Sequence, residues 1–192
     1  TRKRLRMAAF VSKDPKDKVA FDAHWDKILN SSQITTRTIV AEGQVAGHIS
    51  CYPQGENMEV TYWLGREFWG RGLATQALNR MLHLVVDRPI FARAATDNIG
   101  SIRVLQKCGF KIIGKNKDYA NGRGQDTEEY ILRLDLAVTD DRAVGNAADA
   151  QDRDLGVVDD RRRQQPAELA RACDGEGGTT HLLRVELAGA GG

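Results

Sequence analysis

The sequence predicts a single α/β or α+β domain, a mixed sheet with helices packed on it, followed by a tail. Three observations predict it. Over residues 1–136, segments with helical spacing of apolar residues alternate with segments of strand character. A glycine-punctuated loop joins an apolar strand to an amphipathic helix within Glu59–Leu78, EVTYWLGREFWGRGLATQAL. The composition then breaks near residue 136. At 192 residues the chain is long enough for one well-packed core and a tail, and no internal repeat is visible.

In chain order, residues 17–30 place Ala20, Phe21, Trp25, Ile28 and Leu29 near one helical face. Residues 36–42 and 45–52 read as two strands with Gly43 and Gln44 at the turn, and 58–65 as a third. Residues 72–86 form a helix whose Leu73, Ala74, Ala77, Leu78, Met81, Leu82 and Val85 point to a core, with Pro89 after its end. A strand follows over 90–96. A second helix spans 98–108, capped by Asp97 or Asn98 and closed by Gly109. Residues 110–119 and 127–136 pair as a hairpin across a loop containing Asn121-Gly122.

Residues 137–192 hold 11 acidic residues against 7 arginines, with no lysine and no aromatic. That segment carries −4, which leaves +6 of the chain's net +2 on residues 1–136. Rich in Ala, Gly, Asp and Arg, it has too little apolar surface to offset the entropy of ordering, and a disordered tail is expected. Short elements at 166–173 and 181–188 are the exceptions, and an arginine-only, Ala- and Gly-rich stretch is also what GC-rich DNA read out of frame encodes. The three cysteines, Cys51, Cys108 and Cys173, match no metal-ligand spacing and suggest no disulfide framework. No apolar run reaches the roughly 20 residues of a membrane span. The basic start TRKRLR is not followed by the apolar stretch of a signal peptide. A reducing cytoplasm is the expected compartment, and the small net charge does not favour nucleic acid as a partner.

The glycine loop carries the chemistry. Gly70 and Gly72 leave the backbone bare for close approach of a ligand. The first N–H groups of the following helix have no partner in the chain and attract anions, phosphates above all. Arg66 and Arg71 add positive charge beside the helix dipole. A ligand with a pyrophosphate is therefore expected. The GxGxxG dinucleotide fingerprint does not fit, because Thr75 stands at its third glycine and the preceding run is of antiparallel type. About 26 residues after Gly72, Asn98-Ile-Gly-Ser101-Ile-Arg103 begins a helix that Gly109-Phe110 ends.

Together, Tyr62-Trp63-Leu64-Gly65, Glu67 to Thr75 and Asn98 to Phe110 resemble the GNAT superfamily of acetyl-coenzyme A-dependent N-acetyltransferases, most of all its Rim-type branch of ribosomal-protein N-terminal acetyltransferase-like enzymes. The resemblance covers roughly residues 7–136. It implies the acyl-CoA N-acyltransferase fold, with a mostly antiparallel sheet whose usual first strand is not visible here, so that a sheet edge is missing. It also implies that strands 58–65 and 90–96 splay apart, with pantetheine bonding the backbone near Leu64 and Gly65. The pyrophosphate would sit on N–H groups of Gly70, Arg71, Gly72, Leu73, Ala74 and Thr75, and Asn98 would contact the pantetheine. Two positions depart from the family. Glu67 stands where Gln or Arg is usual, and Leu105 stands where many members carry a tyrosine that protonates the leaving thiolate. Ser101, one turn earlier, is the substitute donor or simply a capping serine.

The implied reaction is direct attack by a primary amine on the thioester, with a base to remove the ammonium proton and backbone N–H near 64–65 stabilising the oxyanion. Glu59 is the expected base. By alternation it shares a face with Thr61 and Trp63. His48 is the runner-up, and Glu128, Glu129 and Tyr119 are candidates for the acceptor side. Trp63 reads as core, while Trp69 flanks the cofactor or the acceptor groove. The acceptor is a protein N-terminus or a small amine, and a homodimer is compatible with the fold. Two rival readings are a non-catalytic coenzyme A-binding module and an RNA-binding protein using Arg2, Lys3, Arg4 and Arg6 as a basic arm.

Overall fold

A computed structural model describes residues 17–121, 123–135 and 155–159, the last by backbone alone. The basic start, Gly122, Cys173 and the segments 166–173 and 181–188 lie outside the described residues.

The first helix, α1 (Lys18–Asn30), begins where the Asp17 carboxylate accepts the Ala20 amide at 2.9 Å. Two strands follow, β1 (Thr35–Ala41) and β2 (Gln44–Gln54). Their turn lies one residue earlier than the sequence suggests. Glu42 and Gly43 both take positive φ, 53° and 73°, the conformation a two-residue hairpin needs to match strand twist. Strand β3 (Asn57–Leu64) leads through a 3-10 turn at Arg66–Phe68 into helix α2 (Leu73–Leu84). Arg88 reaches back to the Leu82 and Val85 carbonyls at 2.9 and 2.6 Å, satisfying the end of α2 two residues before the expected boundary. Strand β4 (Ile90–Ala95), helix α3 (Ile99–Lys107) and the hairpin β5 (Lys111–Ala120) and β6 (Gln125–Leu134) complete the expected order. Asn98 is the cap of α3, its Oδ1 accepting the Ser101 amide at 3.2 Å. Gly109 (φ 91°) ends that helix, as Phe110 N–H returns to the Leu105 carbonyl.

The sheet has the order β5-β6-β4-β3-β2-β1-β7, where β7 is Leu155–Asp159, paired antiparallel with β1 from Arg37↔Asp159 to Ala41↔Leu155. Within the tail expected to be mostly disordered, residues 155–159 form a strand that the sequence did not single out. LGVVD is a short run with two β-branched residues, enough for an edge strand once β1 offers a template. It also occupies the sheet edge that was expected to be open.

Helices α2 and α3 cover one face, burying Ile39, Ile49, Leu78, Met81, Ile90, Leu105 and Leu132 in the main core. On the other face α1 packs Trp25 and Ile28 against Ile34 and Tyr52. His48 lies beneath α1, edge-on to Trp25 at 5.2 Å between ring centroids. Burial, and secondly the charge of His24, hold its pKa down to about 4. An unfolded histidine titrates near 6.5, so between those values the unfolded chain binds the extra proton. Stability is therefore expected to be flat above pH 6.5 and to fall as the pH drops toward 4. His24 adds to that slope, since burial and then Lys27 lower its pKa too. Urea midpoints at a series of pH values check this, and His48→Phe should flatten the slope.

Candidate active site

Among the described residues, every neighbouring pair of strands is antiparallel except β3 and β4, which run parallel and pair only at Met58↔Ile90 and Glu59↔Phe91. Beyond Glu59 the two strands diverge, as the resemblance implies. Alternation along the β2–β3 ladder then determines what faces the gap. Gly65 N–H bonds the Ala46 carbonyl at 2.8 Å, toward β2. The main-chain groups of Leu64 and Tyr62 therefore turn the other way, toward β4. Trp69, an exposed indole, donates Nε1–H to the Leu64 carbonyl at 2.9 Å and so flanks that edge.

Beyond the gap lies the glycine loop. Gly70 and Gly72 have φ of 76° and 78°, and Gly72 is the left-handed N-cap of α2, with no side-chain cap. Among the described residues, the amides of residues 70–75 bond no backbone carbonyl, and the first helical bond runs from Gln76 N–H to the Gly72 carbonyl. A Cβ at Gly70 would meet nothing within 4 Å, and one at Gly72 only Gln76 Nε2 at 3.9 Å. The result is an open row of amides with room in front, charged by the helix dipole. Arg71 is less free than the sequence suggests, since its guanidinium pairs with Glu42 of the β1–β2 hairpin and lies 5.9 Å above the Phe68 ring. Arg66 stands exposed at the start of the 3-10 turn.

On the far side of the gap, α3 follows β4 directly. Asn98 spends its Oδ1 on the helix cap, and Ser101 Oγ lies 2.8 Å from Tyr62 Oη. Tyr62 belongs to a quoted motif, yet nothing in the sequence assigned it a role.

Glu59 lies at the base of the gap on the opposite face, the face of α1. Its Oε1 accepts Arg93 Nη2 at 2.8 Å and Nε at 3.1 Å, and its Oε2 accepts the Tyr52 hydroxyl at 3.3 Å. Arg93 also reaches Glu129, with Nη1 at 3.7 Å from Oε1. Glu129 is 3% exposed and hydrogen-bonded by Asn116 Nδ2 at 3.2 Å. Burial pushes its carboxyl pKa up, against the pull of Asn116 and Arg93. Two carboxylates thus share one guanidinium. Sequence reasoning missed Arg93 and Tyr52; a lone arginine inside the apolar strand IFARAA was the available signal. Glu128 is exposed and faces Lys115 at 3.9 Å, and Tyr119 is exposed. The runner-up His48 is buried beneath α1 in its neutral form, away from the amide row. Buried Cys51 and Cys108 are raised to about 12 by desolvation and are not thiolate nucleophiles. No described helix is long and apolar enough to cross a membrane.

Residues 4–111 match the family profile described as an acetyltransferase (GNAT) domain. The chain is 31% identical over 81 residues to an uncharacterized N-acetyltransferase p20 of Bacillus licheniformis, covering 40% of this chain and 45% of that protein. It is 29% identical over 103 residues to a putative ribosomal N-acetyltransferase, YdaF, of Bacillus subtilis (strain 168), covering 49% of this chain and 56% of that protein. The matches thus span about half the length of these curated relatives. Among solved structures, a ribosomal-protein-alanine N-acetyltransferase from Brucella melitensis superposes with a TM-score of 0.58 at 19% identity, over 67% of this chain and 84% of that one. This last likeness concerns the fold alone.

Proposed function

The chain belongs to the GNAT acetyltransferase family, and from that premise we propose that it is an acetyl-coenzyme A-dependent N-acetyltransferase acting on a primary amine. The observation that carries this reading is the junction of a strand gap and an unbonded amide row, in one continuous path from Tyr62 to Thr75. We assign the catalytic domain to residues 1–136.

The fit to the cofactor is chemical. A diphosphate needs several N–H donors and room, and Gly70 through Thr75 offer both. Arg71, tied to Glu42, adds charge at the rim. The gap-facing main chain of Leu64, with Gly65 beside it, would hold the pantetheine amides as an added strand does. Asn98, half-buried at the start of α3, would meet the same arm with its side-chain amide. When bound, acetyl-coenzyme A supplies an activated acetyl thioester that a neutral amine can attack directly. Glu59 is proposed to take the ammonium proton, with Arg93 and Tyr52 holding its carboxylate in one orientation. Ser101 is proposed to act at the sulfur. The Leu64 N–H faces the side where negative charge develops on the acyl oxygen.

For the acceptor, the carboxylates of Glu59 and Glu129 around Arg93 favour a cationic amine. The name of the Bacillus subtilis relative favours a ribosomal acceptor, and a protein N-terminus is the primary amine we propose on it. A turnover screen with acetyl-coenzyme A across N-terminal peptides, amino acids, polyamines and aminoglycosides tests the reading, and binding of coenzyme A without turnover of any amine would overturn it. In an active assay, Glu59→Gln should lower kcat about a hundredfold while the KM for acetyl-coenzyme A stays put. An unchanged kcat would remove Glu59 from the mechanism.

A further inference from the structure

Tyr62 makes a polar contact that its place in an apolar strand does not require. Its side chain leaves β3 on the core side and packs against the main apolar cluster. Its hydroxyl reaches the first turn of α3, 2.8 Å from Ser101 Oγ and 3.2 Å from the Ser101 carbonyl oxygen. Because α3 follows β4, this contact bridges the two diverging strands above their last paired residues, Glu59 and Phe91. The hydroxyl pair therefore links the two strands on the helix face of the sheet, where they diverge.

Two arrangements satisfy the pair. In the first, Ser101 O–H points at Tyr62 Oη, and Tyr62 donates to the Ser101 carbonyl. In the second, Tyr62 donates to Ser101 Oγ, and the Ser101 O–H turns away from the phenol. Negative charge beside Ser101 favours the second, since each hydroxyl then polarises the next. Burial, the largest influence on the phenol, raises its pKa, so Tyr62 remains a neutral donor.

We infer that Tyr62 is a positioning residue for Ser101, holding the serine hydroxyl so that its O–H is presented to the sulfur that leaves during acetyl transfer. The inference rests on the function proposed above. An aliphatic hydroxyl is a much weaker acid than a thiol, so Ser101 gives a hydrogen bond and not its proton. It donates that bond while the C–N bond forms, the C–S bond breaks and its electron pair passes to sulfur. Glu59 holds the proton taken from the ammonium, the second N–H proton passes to solvent as the amide forms, and solvent protonates the thiolate.

Steady-state kinetics of the full chain with Tyr62→Phe, Ser101→Ala and the double variant test this, using acetyl-coenzyme A and the best amine of the screen. Tyr62→Phe is expected to lower kcat about tenfold, to leave the KM for acetyl-coenzyme A within about twofold, and to cost almost nothing further in the Ser101→Ala background, as expected of residues that act as a unit. A kcat for Tyr62→Phe close to wild type overturns the inference. So does a loss that persists undiminished in the Ser101→Ala background, because that is the signature of packing alone. Either result, seen with an active wild-type enzyme, leaves the acetyltransferase reading standing. A wild-type protein that acetylates no amine removes both.

Discussion

Gly72→Asp is expected to weaken coenzyme A binding about a thousandfold, or roughly 4 kcal/mol, while leaving the protein folded. Gly72 caps α2 in the left-handed region at φ 78°. Aspartate is among the few residues that tolerate this conformation, at a cost of about 1 kcal/mol. Its carboxylate would stand at the head of the amide row, where the ligand is expected to sit. It would also set a negative charge against the diphosphate, and two unit charges 4 Å apart repel by about 4 kcal/mol near a protein surface. Titration calorimetry with coenzyme A reads the affinity, and a circular-dichroism melt reads the fold. Unchanged affinity with an intact melt would show that the amide row is not the anion site.

The second large effect is on folding. Gly47→Ala should cost about 3 kcal/mol of stability. A Cβ at this position would stand 2.0 Å from the Trp63 carbonyl oxygen, 2.9 Å from its carbon and 3.0 Å from Leu64 Cα. All three are backbone atoms of the neighbouring strand and cannot rotate away. Gly47 pairs with Leu64 on one side and with Ile39 on the other, where the β1–β2 register shifts. Relieving the clash would push β3 outward at the edge of the gap, so coenzyme A affinity should fall as well. Urea unfolding measures the first effect. Gly114→Ala serves as the control, since a Cβ there meets nothing within 4 Å, and its stability should stay within about 0.5 kcal/mol of wild type. Equal midpoints for both variants would contradict the close approach at Gly47.

Much of the fold was legible because its signals are local. The Asn98 cap, the Gly109 stop and the apolar face of α2 each lie within a few residues of the feature they specify. The turn at Glu42–Gly43 escaped because a glutamate with positive φ leaves no mark in composition. Strand β7 escaped because five residues in a polar, low-complexity stretch become a strand only beside β1. The amide row was legible for the same local reason as the caps. The surroundings of Glu59 were not: the sequence singled out the carboxylate, but Arg93 lies 34 residues away on β4, brought beside β3 only by the helical crossover between the two parallel strands.

By itself the sequence determined the elements that build the site and the row of unbonded amides at the start of α2, because helix ends and glycine conformations are decided over a few residues. Only the tertiary structure decided which side chains meet there. Tyr62 with Ser101, and Arg71 with Glu42, are 39 and 29 residues apart. Their contacts follow from strand order and from the divergence of β3 and β4, which arise when the whole sheet closes on its core and which no local stretch of chain encodes.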